Sequence, residues 1–108
     1  MRKIEKVLRR FKEEIHRIYG ERLKEIILYG SWARGTARKE SDIDLVVILK
    51  GRVFPGREID RMIDVITELG LEYGVLISVY PISERTFRHV KSPLILNVKR
   101  EGVVVWRR

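Results

Sequence analysis

Cysteine is missing from the 108 residues, and so is glutamine; asparagine occurs once, at Asn97. Without thiols there can be no disulfide and no thiolate metal centre, a pattern that fits a cytoplasmic protein. No apolar run approaches the roughly 20 residues needed to cross a bilayer, so no membrane partner is expected. The opening stretch MRKIEKVLRRFKEEIHRIYG is charged throughout and lacks the apolar core of a signal peptide. Repeats, linkers and low-complexity segments are also lacking. The length then points to one domain, residues 1–108, large enough for a single core.

What is present is charge. Lys and Arg number 23 against 15 Asp and Glu, a net charge of +8, and 35% of residues are charged. That bias, with so few amides, resembles heat-adapted proteins. A basic balance favours nucleic acid, nucleotides or an acidic partner. The bases are scattered, with doublets at Arg9-Arg10, Lys99-Arg100 and Arg107-Arg108 among the few clusters. The excess reads chiefly as surface solvation plus a triphosphate pocket, with nucleic-acid binding the lesser use.

The apolar spacing predicts one α/β (α+β) unit. Ile4, Val7, Leu8, Phe11, Ile15 and Ile18 recur at helical intervals, so residues 2–19 read as an amphipathic helix ended by Gly20. Strands are expected at 23–29, 42–49 and 75–81, with a short helix at 31–34 and a turn-rich loop at 51–56. A second amphipathic helix, carried by Ile59, Met62, Ile63, Ile66 and Leu69, should stop near Gly70. Ser83 is a candidate cap for a helix at 84–90. Ser92-Pro93 opens another at 94–100, and 103–106 is a possible last strand.

One stretch carries chemistry: GSWARGTARKESDIDLVVIL, Gly30 to Leu49. Asp42 and Asp44 lie two apart in a strand, so their carboxylates share a face, with Cα atoms roughly 6–7 Å apart. Acids so placed in an apolar strand call for a cation between them. Gly30-Ser31 makes a small turn at the end of the preceding strand. There backbone N–H groups and a helix start can meet a phosphate. Ser31 is a candidate cap and phosphate ligand, and Arg34 a forked donor suited to phosphate. Taken alone, each piece has a bland reading: an ordinary turn, a solvated basic loop at Arg34, Arg38 and Lys39, a strand-entry Asp42. Asp44, between Ile43 and Leu45, resists that reading. The acids Asp60, Asp64 and Glu68 read as a solvated helix face, and the tyrosines as core or rim residues.

The combination Gly30, Ser31, Ala33, Arg34, Gly35, then Ser41, Asp42, Asp44 and Leu45, resembles the signature of the minimal nucleotidyltransferases of the DNA polymerase β-like superfamily. The resemblance implies a small mixed β-sheet flanked by helices, the nucleotidyltransferase fold. It implies Mg²⁺, or Mn²⁺, held by Asp42 and Asp44 as the catalytic acids, and a nucleoside triphosphate, ATP favoured, bound by Gly30, Ser31, Arg34 and Ser41. In relatives a carboxylate on the third strand completes the metal site. Here that strand aligns with Ser78 in the place of the acid, with Glu72 or Glu84 as substitutes if the alignment is wrong. Family members this small commonly pair with an all-helical HEPN protein in a toxin–antitoxin module. The transferase neutralises its partner by binding it and adding AMP to a hydroxyl. Two other functions stay open: an antitoxin that works by occlusion with a weak site, and a small nucleic-acid-binding protein.

Overall fold

The computed structural model describes residues 2–108. Helix α1 (Lys3–Tyr19) presents Val7, Phe11, Ile15 and Tyr19 to the interior at helical spacing. Gly20 ends it, donating its N–H to the His16 carbonyl. A 3₁₀ turn (Gly20–Arg22) leads into β1 (Leu23–Tyr29). There follow α2 (Ser31–Arg34), β2 (Ile43–Leu49), α3 (Pro55–Tyr73), β3 (Ile77–Ser83), α4 (Glu84–His89), α5 (Pro93–Glu101) and β4 (Val103–Arg107).

The four strands make one mixed sheet in the order β3-β2-β1-β4. β1 lies antiparallel to both β2 and β4, while β2 and β3 run parallel, joined across one face by α3. Alternation along β2 divides the core. Ile43, Leu45, Val47 and Leu49 pack towards α1 and α3, and Val46 and Ile48 pack with Ile27 and Ile82 against Ile95 and Val98 of α5. The result is three layers, with helices on both faces of the sheet.

The largest differences from the sequence expectation fall on α3 and β3. Pro55 and Gly56 belong to α3 rather than to the preceding loop, because proline at the first helical position lacks only a hydrogen bond that would go unmade there. α3 also runs through Gly70 to Tyr73. A side chain at Gly70 would meet the Val75 carbonyl at 2.9 Å, so this glycine lets the chain fold back over the helix rather than ending it. β3 starts and finishes two residues later than expected and contains Pro81, which an edge strand tolerates. The caps expected at Ser83 and Ser92 are in place. Ser83 Oγ accepts the Thr86 N–H (3.1 Å), and Ser92 Oγ accepts the Ile95 N–H (3.2 Å).

Glu58 is a charged residue drawn into this interior, 2% exposed. Its Oε1 accepts the Tyr19 hydroxyl at 2.9 Å, and its Oε2 accepts the Phe54 N–H at 3.3 Å. The pair ties the end of α1 to the start of α3. Burial, followed by the Glu58 carboxylate, raises the Tyr19 phenol above its ordinary range.

Candidate active site

Asp44 lies at the end of the sheet where β1 finishes and β2 begins, paired with Tyr29 on one side and Ser78 on the other. It extends the row of Val46 and Ile48, the row that faces α5 further along the strand. Paired residues of parallel strands point the same way, so Ser78 shares that face, and Tyr80 continues it into the second core cluster. Asp42 stands just ahead of β2, not within it, and is exposed. Its charge nonetheless reaches Asp44. The Asp44 carboxyl is raised above its ordinary value first by burial and then by Asp42, with Arg34 acting in the opposite sense. Two acids held together against their own repulsion form a hard-oxygen donor set that a divalent cation would satisfy.

The turn between β1 and α2 is built around this carboxylate. Gly30 has φ of 75°, in the left-handed region. A Cβ there would collide with Asp44 Oδ2. Backbone and carboxylate therefore meet at a position that only glycine fits. The Gly30 carbonyl accepts the N–H groups of Ala33 and Arg34, each at 3.1 Å, closing α2 tightly. Gly30 itself is the N-cap residue, so Ser31 is the first helical residue and not the cap expected from the sequence. Its hydroxyl is not committed to capping, because α2 has no side-chain cap bond.

Two further candidates are held by neighbours. Arg34 Nη1 lies 3.1 Å from Glu101 Oε1 at the end of α5, with about half of the Arg34 side chain exposed. Ser41 Oγ accepts the Arg38 N–H at 2.8 Å, and the Ser41 carbonyl accepts Trp32 Nε1–H at 3.2 Å. Ser41 thus folds the polar loop back over α2, its hydroxyl acting there as an acceptor. Sequence reasoning missed three neighbours: Glu101, Trp32 and Tyr29. The Tyr29 phenol is raised by burial, then by Asp44, then by Tyr80. Tyr29 and Trp32 carried a local signal, since one immediately precedes Gly30 and the other lies within the motif; Glu101 carried none.

No third acid completes the pair among the described residues, where no cluster of three Asp, Glu, His or Cys could hold a metal ion. The two substitutes fail on geometry. Glu84 follows Ser83, which pairs with Leu49 at the other end of the sheet, and Glu84 lies 3.3 Å from Arg88. Glu72 is exposed near the end of α3 and paired with Arg10 at 2.8 Å. Ser78 is the residue beside Asp44.

The model of the nucleotidyltransferase domain matches residues 8–103, which span β1, β2 and β3 and reach only the first residue of β4. The chain belongs to that family. A nucleotidyltransferase relative from Methanocaldococcus jannaschii, provisionally named a protein adenylyltransferase, is 38% identical over 103 residues, covering 94% of this chain and 97% of the relative. The fold is shared with solved structures. One, a toxin–antitoxin crystal structure with AMP-PNP, matches at a TM-score of 0.64 and 19% identity, over 91% of this nucleotidyltransferase and 72% of that chain. Another is a complex of tri-AMPylated Shewanella oneidensis HEPN toxin with its MNT antitoxin. It matches at 0.55 and 15% identity over 94% and 73% of the two chains.

Proposed function

We propose that this nucleotidyltransferase moves AMP from ATP to a hydroxyl of a helical HEPN-type protein, as the antitoxin of a toxin–antitoxin module. The observation that carries the chemistry is the close approach of Asp44 to the Gly30 backbone, beside Asp42, which sets two carboxylates against a turn open to phosphate oxygens. The name of the M. jannaschii relative and the likeness to toxin–antitoxin structures support the acceptor class.

In this reading Asp42 and Asp44 hold the divalent cation, Mg²⁺ or Mn²⁺. When bound, that ion offsets the charge of the triphosphate and polarises the reacting phosphoryl group. Gly30 and Ser31 receive the phosphates through backbone N–H and hydroxyl, and Arg34 adds a cationic fork at the cost of its contact with Glu101. The acceptor oxygen bonds to the α-phosphorus as the bond to the β-phosphate oxygen breaks. Pyrophosphate leaves and the hydroxyl proton passes to solvent. Tyr29, paired with Asp44, and Tyr80, one step further along the same face, stand on the side of the sheet that Asp44 faces. A second reading, an antitoxin that binds nucleotide but acts by occlusion, is favoured by Ser78 in the place of the third acid.

Calorimetric titration with ATP tests the site. Wild type should bind only with Mg²⁺ or Mn²⁺ present, and Asp42→Asn and Asp44→Asn should each weaken that binding at least tenfold with the fold intact. Unchanged affinity in the double variant would remove the site assignment. Labelled ATP with the co-purified helical protein separates transfer from occlusion.

A further inference from the structure

Six of the chain's eight net positive charges gather at the end of the sheet opposite Asp44, where nine cationic side chains and three carboxylates line three clefts. We propose that this pole binds single-stranded nucleic acid, the cations taking phosphates and Phe54 taking a base.

The strand register defines the pole. Tyr29, Asp44, Ser78 and the start of β4 mark one end of the sheet; Leu23, Leu49, Ser83 and Arg107 mark the other. At the second end a cleft of about 430 Å³ is lined by Lys24, Arg88, Lys99, Arg107 and Arg108 around Phe87. A cleft of about 420 Å³ shares Lys24 and Arg108 with it and adds Arg22 and Lys50. A third, of about 620 Å³, carries Arg52 and Arg85 beside Phe54. Two of the three carboxylates are already engaged, Glu25 with Arg107 at 2.7 Å and Glu84 with Arg88 at 3.3 Å. Among the described residues, Lys24, Lys50, Arg52, Arg85 and Lys99 have no carboxylate within ion-pair distance.

Aromatic rings stand among these cations. Phe54 is 47% exposed, with the Arg57 guanidinium 4.9 Å from its centroid, and Lys99 Nζ lies 5.1 Å from the Phe87 centroid. Phe87 is half-buried against the second core cluster, so Phe54 is the ring open to solvent. A basic track with such a ring is the combination that holds an unpaired base and its backbone together. A duplex keeps its bases stacked and offers the ring nothing, and an acidic protein face would meet the cations alone. The pole is separate from the Asp44 site, so it stands or falls independently of the transfer chemistry.

The test is fluorescence anisotropy of a labelled oligouridylate of about 20 nucleotides across a salt series. The exposed triple variant Arg52→Ala/Arg85→Ala/Lys99→Ala is compared with Lys3→Ala/Lys6→Ala/Arg9→Ala, which removes the same charge from α1. Each lost phosphate contact removes about 0.7 from the slope of log affinity against log salt. The pole variant should lose about 2 in slope and at least tenfold in affinity near 0.1 M salt, while the α1 variant stays within about twofold. Phe54→Ala should weaken the oligouridylate roughly fivefold or more and leave a hairpin duplex unaffected. Thermal melts confirm that each variant is folded. Equal losses in the two triple variants would show that only net charge matters, and would overturn the proposal. So would indifference to Phe54→Ala, or a pole variant whose sole defect is in binding the helical protein.

Discussion

Ser78 pairs with Asp44 in the ladder and faces the same way, so a carboxylate introduced there would stand beside the two acids already present. Ser78→Asp should therefore have opposite effects with and without metal. In metal-free buffer the added like charge should destabilise the protein by roughly 0.5–1 kcal/mol, read as a lower Tm. With Mg²⁺ it should raise the rate of AMP transfer on the order of tenfold, because the ion that activates the acceptor gains a ligand. No gain in rate and no fall in Tm would mean that Ser78 does not face the pair. Asp44 makes its own prediction. Its carboxyl is raised in the fold by burial and then by Asp42, so the folded state holds that proton more tightly than the unfolded chain does. A stability penalty therefore develops as pH climbs from the ordinary value of 3.8 through the raised one, and it persists at neutral pH. Asp44→Asn should raise the metal-free Tm at pH 7, and Mg²⁺ with ATP should raise the Tm of wild type but not of the variant. Gly30 and Asp44 were legible in the sequence because both belong to one motif, and the antiparallel pairing of β1 with β2, Tyr29 opposite Asp44, brings them together. The contact of Arg34 with Glu101 was not, because 67 positions separate the two and only the packing of α5 on β1 joins them.

At the level of elements, the link between α1 and α3 rests on Tyr19 and Glu58. Removing the carboxylate leaves the Phe54 N–H without its acceptor and the buried Tyr19 hydroxyl with only the residue-58 carbonyl at 3.4 Å. Glu58→Leu should cost about 2–3 kcal/mol, a fall of roughly 10–20 °C in Tm for a chain of this length. Tyr19→Phe should cost about half as much, because the carboxylate keeps the Phe54 N–H. If the two variants melt alike, the phenol is the essential partner and the cap is not. Elements whose residues repeat at a fixed period were readable in advance. Helix α1 and strand β1 emerge within a residue of their expected bounds because Val7, Phe11 and Ile15 keep helical phase and Leu23 to Tyr29 is bounded by a 3₁₀ turn and a glycine. Helix α3 was misjudged at Gly70 because a glycine within a helix and one that stops it are alike in one dimension. Val75, folding back on it, tells them apart. The late start of β3 has a similar origin. Its bounds follow pairing with β2, from Ile43 with Ile77 to Leu49 with Ser83, and not its own apolar run.

For the molecule as a whole, the sheet separates two chemistries. Seven-residue strands put the acidic site and the basic pole about 20 Å apart, so a protein hydroxyl and an oligonucleotide could be held at once without sharing a contact. The dispersed bases of the sequence gave no hint of that polarity, because Arg22, Lys50, Arg85 and Arg107 converge only when four strands end together. The same sheet bears on how the chain is made. β1 and β2 can pair once residue 49 has left the ribosome, yet the other edge of β1 waits for β4, whose Arg107 reaches Glu25 across 82 positions. Throughout that interval Ile26, Ile27 and Leu28 present unpaired backbone beside apolar side chains to whatever strand is nearby, including that of the next nascent chain on the same message. The growing polypeptide, rather than the finished one, is the species most prone to mispair. The Val-Val-Val-Trp-Arg segment that closes the sheet is also what ends that exposure.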